Sequence, residues 1–181
     1  MVGVGPRCIG LHRRIRLTRN TIKIGEILIE QGVLSEQQVF EVLQAQKQHR
    51  MPFGVLAERM FDVTLHSIEN AWVEQYHRFT GTIDLSKEKF DNEALRVLNR
   101  RQAWQFELLP IRTEPDGEML VAASANRLAR AVTFAANRID RAVYFRIAEQ
   151  AQLRDFLQQH YPMPELSREI IQKARDLAES A

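Results

Sequence analysis

The stretch KIGEILIEQGVLSEQQVFEVLQAQ, residues 23–46, decides the reading of this chain, because PFGVLAERMFDVTLHSIENAWVEQ, residues 52–75, repeats its plan 29 positions later. Gly25 aligns with Gly54, Leu34 with Val63, Ser35 with Thr64, Val39 with Ile68, Leu43 with Trp72 and Gln46 with Gln75. Each copy reads as two helices. In the first, Ile24, Ile27, Leu28 and Gln31 follow helical spacing up to Gly32, a residue suited to the left-handed turn beyond a helix end. Ser35-Glu36-Gln37-Gln38 is a capping box, with a hydroxyl at the N-cap and an amide three residues on. The helix it opens is expected to bury Val39, Val42, Leu43 and Phe40 on one stripe. The second copy predicts a short helix starting at Phe53, a break, Thr64 as N-cap and a stripe of Ile68, Ala71, Trp72 and Gln75. Two similar units side by side can hold a ligand that is itself two-fold symmetric.

Beyond residue 79 the pattern changes. Thr80-Gly81-Thr82 reads as a turn, Ile83-Asp84-Leu85 as a short extended piece, and Asn92 to Gln105 as one helix with Ala94, Leu95, Val97 and Leu98 inward. Residues 106–112 and 118–123 are strand-like runs flanking Glu114-Pro115-Asp116-Gly117, a hairpin signal. Pro110 has no N–H for a sheet ladder, so its strand belongs at an edge or a bulge. A helix over Leu128 to Ile139, a strand over Ala142 to Ile147 and a helix over Glu149 to Tyr161, with Leu153, Phe156 and Leu157 inward, complete this part. Pro162 and Pro164 break the chain before a polar helix from Glu165 to Ala181. The fold class is α+β. A basic, flexible arm (1–21) precedes a helical tandem-repeat subdomain (22–80) and an α+β subdomain (81–161) with a sheet of three or more strands. The C-terminal helix spans 162–181.

The net charge of +2 conceals an asymmetry. Arg7, Arg13, Arg14, Arg16, Arg19 and Lys23 face no acid within residues 1–23, and the remainder holds 19 bases against 23 acids. The arm attracts anions, but it has no interleaved aromatics, which argues against a nucleic-acid platform. No apolar run approaches the roughly 20 residues of a membrane span, and the start has no signal-peptide core, so a cytoplasmic protein is expected. Cys8 is single and outside any metal-like cluster.

Nothing in the sequence assembles a catalytic site. No Gly-x-x-x-x-Gly-Lys-Ser/Thr loop occurs. His12, His49, His66, His77 and His160 show no zinc spacing with one another or with Cys8. A non-enzyme without metal or cofactor is expected.

The first copy resembles the repeated motif of the MshEN domain, the N-terminal domain of type II secretion and type IV pilus ATPases of the GspE and MshE kind. The motif falls on Lys23, Ile24, Gly25, Leu28, Ile29, Gly32, Val33, Leu34, Val39, Leu43 and Gln46, with Lys23 where the family has arginine. Residues 47–51 supply the five-residue spacer between two motifs. The run Leu109-Pro110-Ile111-Arg112, the Gly117 turn, the run Leu120-Val121-Ala122 and a closing helix ending at Tyr161 are similar to the family's α+β half. In the second copy Phe53, Gly54, Val63, Ile68, Trp72 and Gln75 keep the pattern. Pro52 takes the arginine position there, Phe61 the second glycine, and Glu58 and Asp62 stand at aliphatic positions.

The resemblance implies a stand-alone regulatory module that binds the bacterial second messenger cyclic di-GMP across both motifs and relays it to a protein partner of a secretion, pilus or signalling assembly. The residues at the motif positions of the first copy, with Phe53, Gly54, Val63, Ile68, Trp72 and Gln75 of the second, would form the site. In that reading glycines admit close approach, aliphatic side chains give apolar burial, a cation meets phosphate and an amide reads a base edge. Each feature also has a plainer reading. Glycines cap helices, aliphatic stripes fill cores, the glutamines satisfy helix ends, and Trp72 anchors a core. The alternative function is therefore a protein-interaction or adaptor module of a secretion or pilus-like system that has lost nucleotide binding.

Overall fold

The computed structural model describes residues 22–163; the expected basic arm and the last polar helix lie outside that range. The repeat forms four helices: α1 Ile24–Glu30, α2 Glu36–His49, α3 Phe53–Phe61 and α4 Leu65–Thr80. Their starts follow the side-chain chemistry. The Ser35 hydroxyl accepts from the Gln38 N–H at 3.2 Å while the Gln38 amide oxygen accepts from the Ser35 N–H at 2.8 Å, the reciprocal pattern of a capping box. Thr64 likewise accepts from the Ser67 N–H at 3.1 Å.

A four-stranded sheet follows, formed by β1 Thr82–Ile83, β2 Leu108–Thr113, β3 Met119–Ser124 and β4 Val143–Ala148 in the order β1-β4-β3-β2. β2 and β3 are an antiparallel hairpin closed through Gly117 at φ 84°. β3 and β4 run parallel, joined by α7 Leu128–Arg138, and β1 adds in parallel with Thr82 opposite Ile147. Pro110 sits on the edge strand, and the pairing slips between Pro110 and Arg112. The residue that cannot donate thus has both an edge and a bulge. α8 Gln150–His160 closes the fold.

Three expectations need correction here. Asn92 to Gln105 is not one helix but two, α5 Asn92–Leu95 and α6 Arg100–Phe106. Asn99 starts the second: its side chain accepts from the Gln102 N–H at 2.9 Å and its own N–H donates to the Gln102 side chain at 3.0 Å. Phe106 is accordingly helical rather than the head of a strand, and Glu107, at φ 45°, turns the chain into β2. The extended piece ends at Ile83, because the Asp84 carboxylate accepts from the Ser86 N–H and folds residues 85–87 into a 3₁₀ turn.

Apolar side chains gather in two clusters. One joins Ile27, Leu28, Leu34, Val39, Val42, Leu56, Ala57, Val63 and Ala71 of the repeat. The other surrounds the sheet, with Leu85, Leu108, Val121, Leu128, Leu153 and Leu157 fully buried. α4 serves both: Ala71 faces the first, and Tyr76, Trp72 and Val73 the second. The Tyr76 hydroxyl donates to the Phe145 carbonyl of β4 at 2.7 Å. Burial pushes the Tyr76 phenol well above its usual range, so the donor is not lost to ionisation at any physiological pH.

Candidate functional site: two helix starts related by a two-fold

The two copies do more than repeat. α1 packs chiefly on α4, and α2 on α3, so each copy leans on the other. The closing glutamines make this exchange explicit. Gln46 donates from Nε2 to the carbonyl of Met51 at 3.1 Å, and Gln75 donates from Nε2 to the carbonyl of Ile22 at 2.9 Å. Ile22 and Met51 stand 29 positions apart, as Gln46 and Gln75 do. Each amide therefore holds the chain just ahead of the opposite copy's first helix. This is the isologous logic of a two-fold dimer, written within one chain.

The paired glycines have a packing cause. A Cβ on Gly25 would lie 2.9 Å from Val39 Cγ1, and a Cβ on Gly54 would lie 2.9 Å from Ile68 Cγ2. Each glycine lets the first helix of its copy close onto a β-branched residue of the second. The Gly25 Cβ position is also 3.4 Å from the Phe53 ring, which brings the starts of α1 and α3 side by side.

At the far ends of these helices the copies diverge. After α1, Gly32 takes φ 68°, its N–H bonds to Ile29 O at 2.9 Å, and the Val33 N–H bonds to Leu28 O at 2.9 Å. These are the two bonds of a Schellman close. In the second copy Phe61 replaces the glycine, α3 runs on through it, and Asp62 takes the left-handed turn at φ 53°.

The expected site residues fall into layers. Leu28, Leu34, Val39 and Val63 are buried core, with Gly25 beside them. Ile24, Ile29, Val33, Phe53, Gly54, Ile68, Trp72, Gln46 and Gln75 are half-buried, while Lys23, Gly32 and Leu43 are exposed. Leu43 and Phe40, expected on the buried stripe of α2, are instead 41% and 55% exposed. The reason is the broken symmetry. Trp72, the counterpart of Leu43, is packed against the sheet cluster, whereas among the described residues nothing covers that face of α2. Leu43 and Gln46 line a cleft there with Phe40, Gln44 and Lys47.

Charge is also unequal between the halves. Arg78 of α4 reaches Glu30 of α1 at 2.8 Å and Glu74 at 2.6 Å; the positions equivalent to Arg78 and Glu30 are His49 and Arg59, two bases. The Lys23 backbone N–H donates to the Glu26 carboxylate at 2.8 Å, and the Lys23 side chain is exposed at the head of α1. No group of His, Cys, Asp or Glu suited to a metal occurs among the described residues. The one buried acid among the described residues lies elsewhere. Glu107 is 6% exposed; burial alone would raise its carboxyl, but Ser124 at 2.5 Å, Arg154 at 3.1 Å and Gln150 at 3.4 Å outweigh that and hold it below the usual range. It ties the start of β2 to β3 and α8, a structural task.

Sequence reasoning missed the carbonyls of Ile22 and Met51 and the tie between Arg78 and Glu30. The 29-residue offset applied to the flanking positions would have paired the first two; a residue-type pattern does not register a backbone acceptor.

A tandem helical repeat folded on its own two-fold and sharing its last helix with a small mixed sheet defines a class of α+β module; among the described residues no helix is long and apolar enough to cross a membrane. The chain belongs to the MshEN domain family, whose model matches residues 76–166, half of the chain. The matched stretch is the sheet half; the tandem motif precedes it. Among solved structures, one of MshE with cdg is similar at 26% identity and TM-score 0.43, covering 77% of this chain and 99% of that one. The N-terminal domain of XpsE is similar at 18% identity and TM-score 0.43, covering 76% of this chain and 93% of that one. No curated protein matches.

Proposed function

We propose that this protein is a non-catalytic regulatory module that binds cyclic di-GMP over the adjoining starts of α1 and α3 and passes the bound state to a protein partner. The observation that carries the reading is the reciprocal pair of glutamine bonds, Gln46 to Met51 and Gln75 to Ile22. They place two equivalent backbone segments about one axis, and a cyclic dinucleotide has the same symmetry. The half-buried apolar residues Ile24, Ile29, Val33, Phe53 and Ile68 supply contact surface, with Leu28, Leu34, Val39 and Val63 fixing its shape from beneath. Lys23 supplies the phosphate contact as a point charge, without an arginine's fork. The route to a partner is α4, which carries Gln75 at the site and Trp72 and Tyr76 in the sheet cluster. Its setting is the cytoplasm, where the messenger is made.

A second reading has its own support. Pro52 at the cation position, Glu58 exposed on α3 and Phe61 in place of a glycine weaken the second half, which favours an adaptor that has lost its ligand. Calorimetric titration with cyclic di-GMP separates the two. The sensor predicts saturable binding of one ligand per chain, weakened roughly 10- to 100-fold in Lys23→Ala, the equivalent of one charge-assisted hydrogen bond. Absence of heat and of any thermal shift at about 0.1 mM ligand, a concentration that detects even modest affinity, leaves the adaptor.

A further inference from the structure

A cleft of about 400 Å³ opens where α4, the end of α6 and α7 meet, lined by none of the residues of the paired helix starts. Phe106 and Phe134 line it as a stacked pair, with ring centroids 4.1 Å apart and planes 18° apart. Arg130 and Arg138, both exposed on α7, bring two guanidiniums to it, and Glu69 brings a carboxylate from α4. None of these three makes an ion pair or hydrogen bond with any described residue. Thr133 and Asn137 also line the cleft, but their side chains donate to the carbonyls of Ala129 at 3.0 Å and Thr133 at 2.7 Å and so are already engaged. From residue 119 to residue 139 the chain has no acid.

Groups of both signs that share one cavity and leave each other unpaired select for a ligand that satisfies both. Inorganic phosphate would leave the rings unused and meet Glu69 as a like charge. A free apolar ring would leave all three charges unanswered. A planar base with N–H donors along one edge, joined to a phosphate, uses every group: ring on aromatic surface, donor edge to carboxylate, phosphate to a guanidinium fork. Guanine presents adjacent ring and exocyclic N–H donors; adenine interposes an acceptor, which a carboxylate repels. We propose that this cleft binds a guanine nucleotide, with Glu69 reading the base, Phe106 and Phe134 forming the platform, and Arg130 and Arg138 holding the phosphate. The proposal does not rest on the reading of the helix starts.

The test is calorimetric titration of the full chain with GMP, AMP and inorganic phosphate. GMP is expected to saturate and to bind about tenfold or more tightly than either competitor, about the value of one good polar contact. Glu69→Gln should erase the preference for GMP over AMP, and Arg130→Ala and Arg138→Ala should each weaken GMP about tenfold. These side chains are on the surface, and unchanged circular dichroism will show that the variants fold. Lys23→Ala should leave GMP binding unaltered. Absence of saturable GMP binding, equal affinity for GMP and AMP in the unaltered chain, or loss of GMP binding in Lys23→Ala but not in Arg130→Ala would overturn the assignment.

Discussion

Gly25 and Gly54 show how a residue chosen for what it lacks can fix a fold. Each faces a β-branched side chain with no room for a methyl group. Gly25→Ala and Gly54→Ala should each destabilise the protein by about 1–3 kcal/mol, the usual cost of overpacking, measured by urea unfolding. A loss in one but not the other would mean that the copies are not equivalent in packing. The same geometry makes a bulky change at Gly25 a poor probe of ligand binding, since it disturbs the core first. His160 offers a second residue-scale test. It lies beside Phe90, ring centroids 4.5 Å apart, with its Nε2 buried and without a hydrogen-bond partner, and burial lowers its pKa below the ordinary 6.5. The fold therefore prefers the neutral ring, while the unfolded chain takes up a proton near pH 6.5. The sign follows: this contribution to stability is complete above about 6.5 and declines as pH falls from there toward the folded value. His160→Phe should lose less stability than the unaltered chain between about pH 7.5 and 5.5, a window above most carboxyl titration. An identical loss in both would remove His160 as the cause.

Helix ends are where the two copies part company. Gly32, at φ 68°, closes α1 with no neighbour within 4 Å of a Cβ, so Gly32→Ala should cost about 1 kcal/mol through backbone strain alone. Thermal unfolding will show this as a shift of a few degrees; no shift would mean that the turn relaxes at no cost. The elements with local signatures were legible in the sequence. Ser35, Thr64 and Gly117 each announce a cap or turn through their own chemistry, and Pro110 announced an edge. The break between α5 and α6 was not read, because Asn99 lies within a run of good helix formers and its capping partner Gln102 looks like any surface amide. The exposure of Leu43 and Phe40 was not legible at all. Periodicity gives the apolar face of a helix but not what covers it, and the turn at 125–127, α7 and β4, which pack on α4, begin 45 or more residues beyond its end. For the candidate site, the repeat revealed which residues correspond; only the fold revealed that the correspondence is an exchange between copies.

At the scale of the whole molecule, an internal two-fold is joined to a sheet that touches one side of it. α4 is built into the sheet cluster through Trp72 and Tyr76, stacked with centroids 5.8 Å apart, while among the described residues nothing covers the equivalent face of α2. On the proposed reading, a symmetric ligand surface thereby gains one asymmetric output. On the proposed reading both helix starts serve one ligand, and the second is weakened by Pro52, which sits exposed at the N-cap of α3 where the first copy has Lys23. Substituting Pro52→Arg restores a guanidinium to that place without touching the core, so a change in binding cannot be ascribed to unfolding. The decisive measurement is the calorimetric affinity of Pro52→Arg for cyclic di-GMP beside that of the unaltered chain. One ligand per chain is expected in both, with binding about 10- to 100-fold tighter in the variant. Equal affinities in two well-folded proteins, or binding in neither, would overturn the shared site.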